Sequence, residues 1–179
     1  MTDTCSLKAL TLKDLSMVLA WRNHPVVRSR MLAQHEISLQ EHSSWFERVQ
    51  NDPTRHQFIV LNGTDPFGFV QFNPVNPGGI ADWGFYTRPD APKGSGKKLG
   101  QAALNHAFTN LGLHQVCGQA LINNAASIAF HQRLGFTQEA RLREHQCADG
   151  SCHTLMRFGL LAHDWQNHQS SSKASHAPN

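Results

Sequence analysis

Tyrosine occurs once in this chain of 179 residues, and charged residues make up only 16% of it. No apolar run comes near the roughly 18 residues that a membrane-spanning helix needs. The opening residues, MTDTCSLKAL, lack a basic stretch followed by an apolar one, so no export signal is read and the cytoplasm is the expected compartment. Cys5, Cys117, Cys147 and Cys152 are the four cysteines, and without export they are expected to be reduced thiols. Cys147 and Cys152, with His145 and His153 beside them, match no standard zinc spacing. The 12 histidines include no H-E-x-x-H pair, so no metal is expected. No basic stripe with interleaved aromatics is present, which argues against nucleic acid. The formal charge of +3 is mild and suits a protein that handles small anions.

What is present is the composition of one ordinary domain, placed at 1–165, with a Ser/His/Asn-rich tail at 166–179 expected to be disordered. Thr11 with Asp14, and Ser38 with Glu41, are helix-start signatures. Pro25 ends the first helix and a basic loop follows; Gly135 closes a later helix. Strands are read over 4–10, 56–61, 67–72, 80–87, 114–121, 136–146 and 152–161, the last two pairing across Asp149-Gly150. The order β-α-α-β-β-β-α-β-α-β-β predicts an α/β fold of α+β type, a mixed twisted sheet of about seven strands with helices on both faces.

The stretch that organises the chain is 81–104, ADWGFYTRPDAPKGSGKKLGQAAL. A strand runs through a Pro-bounded loop into Lys93-Gly94-Ser95-Gly96-Lys97-Lys98, and then into a helix. A glycine turn at a helix N-terminus gathers backbone N–H groups around one point and adds the positive end of the helix dipole, which makes a phosphate cradle. It is not a nucleoside-triphosphate loop, because no G-x-x-x-x-G-K-[ST] is present. Nor is it a dinucleotide fingerprint, because Gly94, Gly96 and Gly100 miss that spacing by one.

This cradle resembles the acyl-CoA pyrophosphate loop of the GNAT N-acetyltransferase superfamily, Q/R-x-x-G-x-G/A, with Ala91 in place of the usual Arg or Gln. One helix and one strand downstream, Asn124-Ala125-Ala126-Ser127-Ile128-Ala129-Phe130-His131 and Gly135-Phe136 are similar to the superfamily pattern N-x-x-A/S-I-x-x-Y-x-K-x-G-F. The first third adds Trp21-Arg22-Asn23-His24-Pro25 and Ile37-Ser38-Leu39-x-x-His42. These pieces resemble the flagellar-glycan branch, whose members acetylate the 4-amino group of a UDP-linked 4-amino-4,6-dideoxy-N-acetyl-altrosamine on the route to pseudaminic acid.

The resemblance implies direct transfer from acetyl-CoA to an amine in a ternary complex, with no metal. A UDP-amino-sugar is the implied small-molecule partner, and neither nucleic acid nor a membrane is. A homodimer is an allowed assembly. Cofactor contacts are implied from Phe85, Tyr86, Gly94, Ser95, Gly96, Lys97, Lys98, Asn124, Ser127 and Phe130. An oxyanion donor is implied among the 84–86 amides, where the strand should splay from its neighbour. Arg22, His42 and Tyr86 are the implied acceptor contacts. His131 stands where the superfamily has Tyr, and it is expected to take over as acid or hydrogen-bond donor; its ordinary pKa of about 6.5 lies below the thiol's. Gln119 is expected beneath the acetyl group, to orient a water. A protein N-terminal or ribosomal-protein acetyltransferase, and a non-catalytic acyl-CoA module, are the rival readings.

Overall fold

A computed structural model describes residues 5–146 and 150–174. The expected turn at Asp149 and the thiol of Cys147 lie outside the described residues. Seven strands form one sheet in the order β1-β2-β3-β4-β5-β7-β6. They are β1 (Cys5–Ala9), β2 (His56–Asn62), β3 (Asp65–Phe72), β4 (Ile80–Thr87), β5 (Gln115–Leu121), β6 (Thr137–Gln146) and β7 (Cys152–Leu161). Every ladder is antiparallel except β4 with β5, which is parallel.

The expected helices form where their caps allow. After a 3₁₀ turn at Leu12–Asp14, α1 (Leu15–Asn23) begins behind a capping box. Thr11 donates its backbone N–H to Asp14 Oδ2 at 3.0 Å and its hydroxyl to the same oxygen at 2.7 Å. Ser38 Oγ accepts from the Glu41 amide at 3.1 Å and starts α3 (Leu39–Gln50). Such a cap is worth about 1 kcal/mol. Pro25 ends α1 as expected, yet it also opens a short helix, α2 (Pro25–Arg28), where a loop was expected. Its missing N–H costs nothing at a first helical position, and the His24 side chain caps the Val26 amide.

Helices α4 (Ser95–Thr109) and α5 (Ala125–Arg133) pack with β4, β5 and β7 around Trp83, Leu99, Leu104, Phe136 and Phe158. On the other face α1 and α3 bury Val18 and Phe46 against Ile59 and Phe69. Gly100 matters here through its missing side chain. A Cβ on it would lie 2.7 Å from Leu134 Cδ1 and 2.9 Å from Phe130 Cζ, so only glycine lets α5 approach α4 this closely.

The segment after Gln166, expected to be disordered, is helical as far as Ala174, in α6 (Ala162–Ala174). Its anchor is Trp165, which is buried in the main core and donates its indole N–H to Asn105 Oδ1 at 3.0 Å. Ser170 and Ser171 turn their hydroxyls onto the carbonyls of Gln166 and Asn167, so their polarity is satisfied within the helix. Among the described residues no helix is long and apolar enough to cross a membrane.

Replacing Gly100 with Ala tests the α4–α5 packing. Overpacking of this kind costs about 1–3 kcal/mol, which would appear as a lower midpoint in urea denaturation. An unchanged midpoint would show that α5 can move away freely.

Candidate active site

The β4–β5 ladder ends at Asp82 and Cys117. Beyond it β4 continues on β3, from Trp83 opposite Phe72 to Thr87 opposite Gly68, while β5 follows β7. The two strands therefore part like the arms of a V, as expected for the 84–86 stretch, and the amides that β4 turns toward β5 lose that neighbour. Asp82 at the vertex is held by Arg157 of β7, at 2.9 Å.

A groove of about 700 Å³ runs through this fork. One end is walled by Arg22, Val26, Arg30 and Met31 from α1, α2 and the loop that follows. Its middle is made by Phe69, Gln71, Trp83 to Thr87 and Gln119. Its far end is formed by Ala91, Gly96, Asn124, Ser127, Phe130 and Arg133. The structure thus gathers Arg22, Phe85, Tyr86, Gly96, Gln119, Asn124, Ser127 and Phe130 in one groove. The sequence reading missed Gln71, Trp83, Arg88 and Arg133 as groove residues; strand alternation alone does not tell which face of β3 or β4 meets a cavity.

At the far end Gly94 has φ +92°, a left-handed conformation that suits glycine. It is the N-cap of α4 and supplies no side-chain cap. The Ser95 amide turns back to the Pro92 carbonyl at 3.1 Å. The Gly96 and Lys97 amides fall in the first turn, where the helix offers no carbonyl to them. Lys93, Lys97 and Lys98 are exposed around this turn. Gly94, Ser95, Lys97 and Lys98 flank the groove and do not line it. Asn124 Oδ1 caps α5 by accepting from the Ser127 amide at 3.1 Å, which leaves its Nδ2 as a donor.

Two expected residues fall elsewhere. His131 is 1% exposed and does not line the groove. Its Nδ1–H donates to the Ser127 carbonyl at 2.8 Å, and its Nε2 accepts the indole N–H of Trp83 at 3.1 Å. Both nitrogens are spent, and the ring lies flat on Phe158 with centroids 4.8 Å apart. An acid must point a proton at the group it serves. This imidazole does not, so the acid role read from the sequence is withdrawn. An imidazole is shorter than the phenol usual at this position, and α5 carries it inward onto aromatic rings. His42 is likewise buried, at 5% exposure. It stacks on Trp45 at 5.1 Å, and Trp45 in turn meets the edge of Phe69, whose ring reaches the groove. It does not wall the acceptor end.

The electrostatics of the groove are set by arginine. Arg22 Nη2 donates to the Ala33 carbonyl at 2.6 Å, while its Nη1 is buried without a partner. Arg88 is held by Asp65 at 2.8 Å and by Asp90 at 3.3 Å. Burial pushes the Tyr86 phenol well above its ordinary pKa, against the opposing pull of Arg22. Tyr86 therefore stays protonated at neutral pH, a donor and not a base. Among the described residues no group of three or more His, Cys, Asp or Glu gathers to hold a metal.

Burial among aromatic rings lowers the His131 pKa, and the Ser127 carbonyl opposes this in part. The unfolded chain then takes up the proton first. The stabilisation is complete above about pH 6.5 and is lost as pH falls toward the folded value. In urea unfolding between pH 7 and 5, His131→Asn should flatten the fall in stability by up to about 1.4 kcal/mol per pH unit. Identical slopes would show that His131 titrates normally.

Comparison with known proteins agrees with this geometry. Residues 5–137 match the family model described as "Acetyltransferase (GNAT) domain". The chain is 23% identical over 128 residues to the acetyltransferase PseH of Campylobacter jejuni, covering 72% of this chain and 80% of PseH. It is 22% identical over 170 residues to the spermidine N(1)-acetyltransferase of Vibrio cholerae, covering 93% and 98%. The crystal structure of spermidine N-acetyltransferase from Vibrio cholerae in complex with CoA and spermine superposes with a TM-score of 0.81, at 23% identity over 91% of this chain and 98% of that one. With a strand fork, a glycine-capped helix at its far end and a family match over most of its length, the chain belongs to the GNAT acetyltransferase family and is an N-acetyltransferase.

Proposed function

We propose that this chain transfers the acetyl group of acetyl-CoA to the 4-amino group of a UDP-linked 4-amino-4,6-dideoxy-N-acetyl-altrosamine, a step toward pseudaminic acid. The observation that carries this reading is the charge of the groove. Arg22 and Arg30 line one end of it and Arg133 the other, while Arg88 is paired with Asp65 and Asp90; among the described residues Asp82 is the one carboxylate in the lining, and it is held by Arg157. A diphosphate is attracted to such a surface. A polyamine, the substrate named for the Vibrio cholerae relative, is repelled by it. The likeness to PseH points the same way.

The residues present fit an acyl-CoA. The Gly96 and Lys97 amides, with the exposed lysines around them, suit a pyrophosphate. Asn124 Nδ2 suits the amides of the pantetheine arm. The backbone of β4 over 84–86 suits the carbonyl oxygen of the thioester. When bound, acetyl-CoA supplies the activated acyl group. The chain itself supplies alignment and a donor at the oxyanion.

Among the described residues no histidine or glutamate lines the groove, and its aspartate, Asp82, is held by Arg157. A polyamine or lysine amine, with a pKa near 10, would need a base that is not there. A less basic sugar amine arrives neutral often enough to react. Gln119, on the acceptor side of the fork, can orient a water to accept the proton. Tyr86 and Arg22 bind the acceptor.

Thiol release from acetyl-CoA, measured in parallel with the UDP-amino-sugar, spermidine and an N-terminal peptide, tests the proposal. Turnover with the sugar nucleotide alone is expected; turnover with only spermidine or peptide overturns the acceptor. Arg22→Gln should raise the KM for the sugar nucleotide about ten- to a hundredfold, the worth of a hydrogen bond to a charged group, and leave that for acetyl-CoA unchanged.

A further inference from the structure

Trp83 and Gly118 are the first residues past the last β4–β5 pair, one on each arm of the fork. A Cβ built on Gly118 would fall 2.8 Å from the Trp83 Nε1 and closer still to His131 Nε2. The indole therefore reaches from β4 to the backbone of β5 and spans the gap just above the vertex. It is 7% exposed, and Trp83 is among the residues that line the groove. Any side chain at position 118 would push it out.

The indole is also locked. Its one donor is spent on His131 Nε2. That nitrogen is an acceptor only while the proton sits on Nδ1, where the Ser127 carbonyl fixes it. Phe130 and Phe136 lie near-parallel to it, with ring centroids 6.2 and 5.2 Å away, and Phe85 is tilted against it at 4.5 Å. Among the described residues His131 is the one titratable side chain in ring contact with it. This is a buried hydrogen bond in an apolar box, and breaking it strands a donor.

We infer that Trp83, held by His131 and admitted by Gly118, forms the floor of the fork and restricts the enzyme to short acyl chains. The inference rests on the reading that an acyl-CoA lies between the arms. A thioester whose carbonyl meets the 84–86 amides has the vertex as its enclosed direction. A chain lengthened at its methyl end runs into the indole, which cannot rotate away without losing its partner. Trp83 is then the residue that sets chain length. His131 is a positioning residue that acts through it, a role consistent with its distance from the groove.

The test measures dissociation constants of the full-length protein for free CoA and for acetyl-, propionyl- and butyryl-CoA by calorimetry. Wild type should lose about tenfold in affinity per added methylene. Trp83→Phe, which keeps an aromatic ring but shortens it, should bring butyryl-CoA to within about tenfold of acetyl-CoA while free CoA binds as before. His131→Phe should relax the profile in the same sense. Free CoA should bind to His131→Phe as before, so that the ratio of butyryl- to acetyl-CoA affinity changes without a general loss, a split that a purely structural role for His131 would not produce. Equal wild-type affinity for acetyl- and butyryl-CoA overturns the inference, whether or not the variants fold. So does a Trp83→Phe profile identical to wild type. Binding of free CoA with a flat chain-length profile sinks the floor alone. Failure of CoA and all three thioesters to bind removes the acyl-CoA reading and the floor with it.

Discussion

The parting of β4 from β5 is the constraint from which the rest of the site follows. In a parallel ladder each strand satisfies its neighbour's amides and carbonyls. Ending that ladder after Asp82 and Cys117 leaves backbone groups that need partners, in a place where the sheet would otherwise be closed. The separation is held from several sides: Asp82 is tied to β7 through Arg157, β4 is completed by β3, and Trp83 wedges the vertex. Helices α4 and α5 can then close one face of the opening while α1 and α2 border the other. Two differently built ends of the groove thus meet across a single strand.

The two ends of the groove differ in the positive groups they present. The far end uses backbone amides and a helix terminus, backed by lysines in water. The end walled by α1 and α2 presents guanidinium groups, of which Arg22 is the most constrained: one nitrogen is tied to the Ala33 carbonyl and another is buried without a partner. Leaving a buried donor unsatisfied costs about 1–3 kcal/mol. A binding site can tolerate that cost if a ligand removes it.

Much of this was legible from local rules. The Thr11–Asp14 and Ser38–Glu41 boxes, the left-handed Gly94 and the terminating Gly135 are short-range devices, and each stands where its residues lie in the chain. The order of strands followed from their spacing, and the two motifs around Gly94 and Asn124 placed the groove. What failed were readings that depend on distant partners. His131 occupies the position of a catalytic tyrosine in the motif, but whether its ring reaches the groove depends on Trp83 and Phe158, 48 residues before it in one case. His42 sits on the expected helix, yet its ring is buried beside the backbone of Leu15, 27 residues before it. The α6 helix carries almost no apolar residues, and its place is decided by one tryptophan against Asn105, 60 residues away. Gly118 has no local signature at all.

The position of β7 bears on how the chain is made. It is the last strand in sequence, yet it lies inside the sheet between β5 and β6. As the polypeptide leaves the ribosome, β5 and β6 emerge with no strand between them, and β6 gains its partner only when β7 follows. The core beneath α4 is sealed later still, when Trp165 arrives. The groove residues are therefore all synthesised before the sheet that supports them can close. The strand that completes the sheet beside the fork thus comes from the C-terminal side and not from the motif where the chemistry is written.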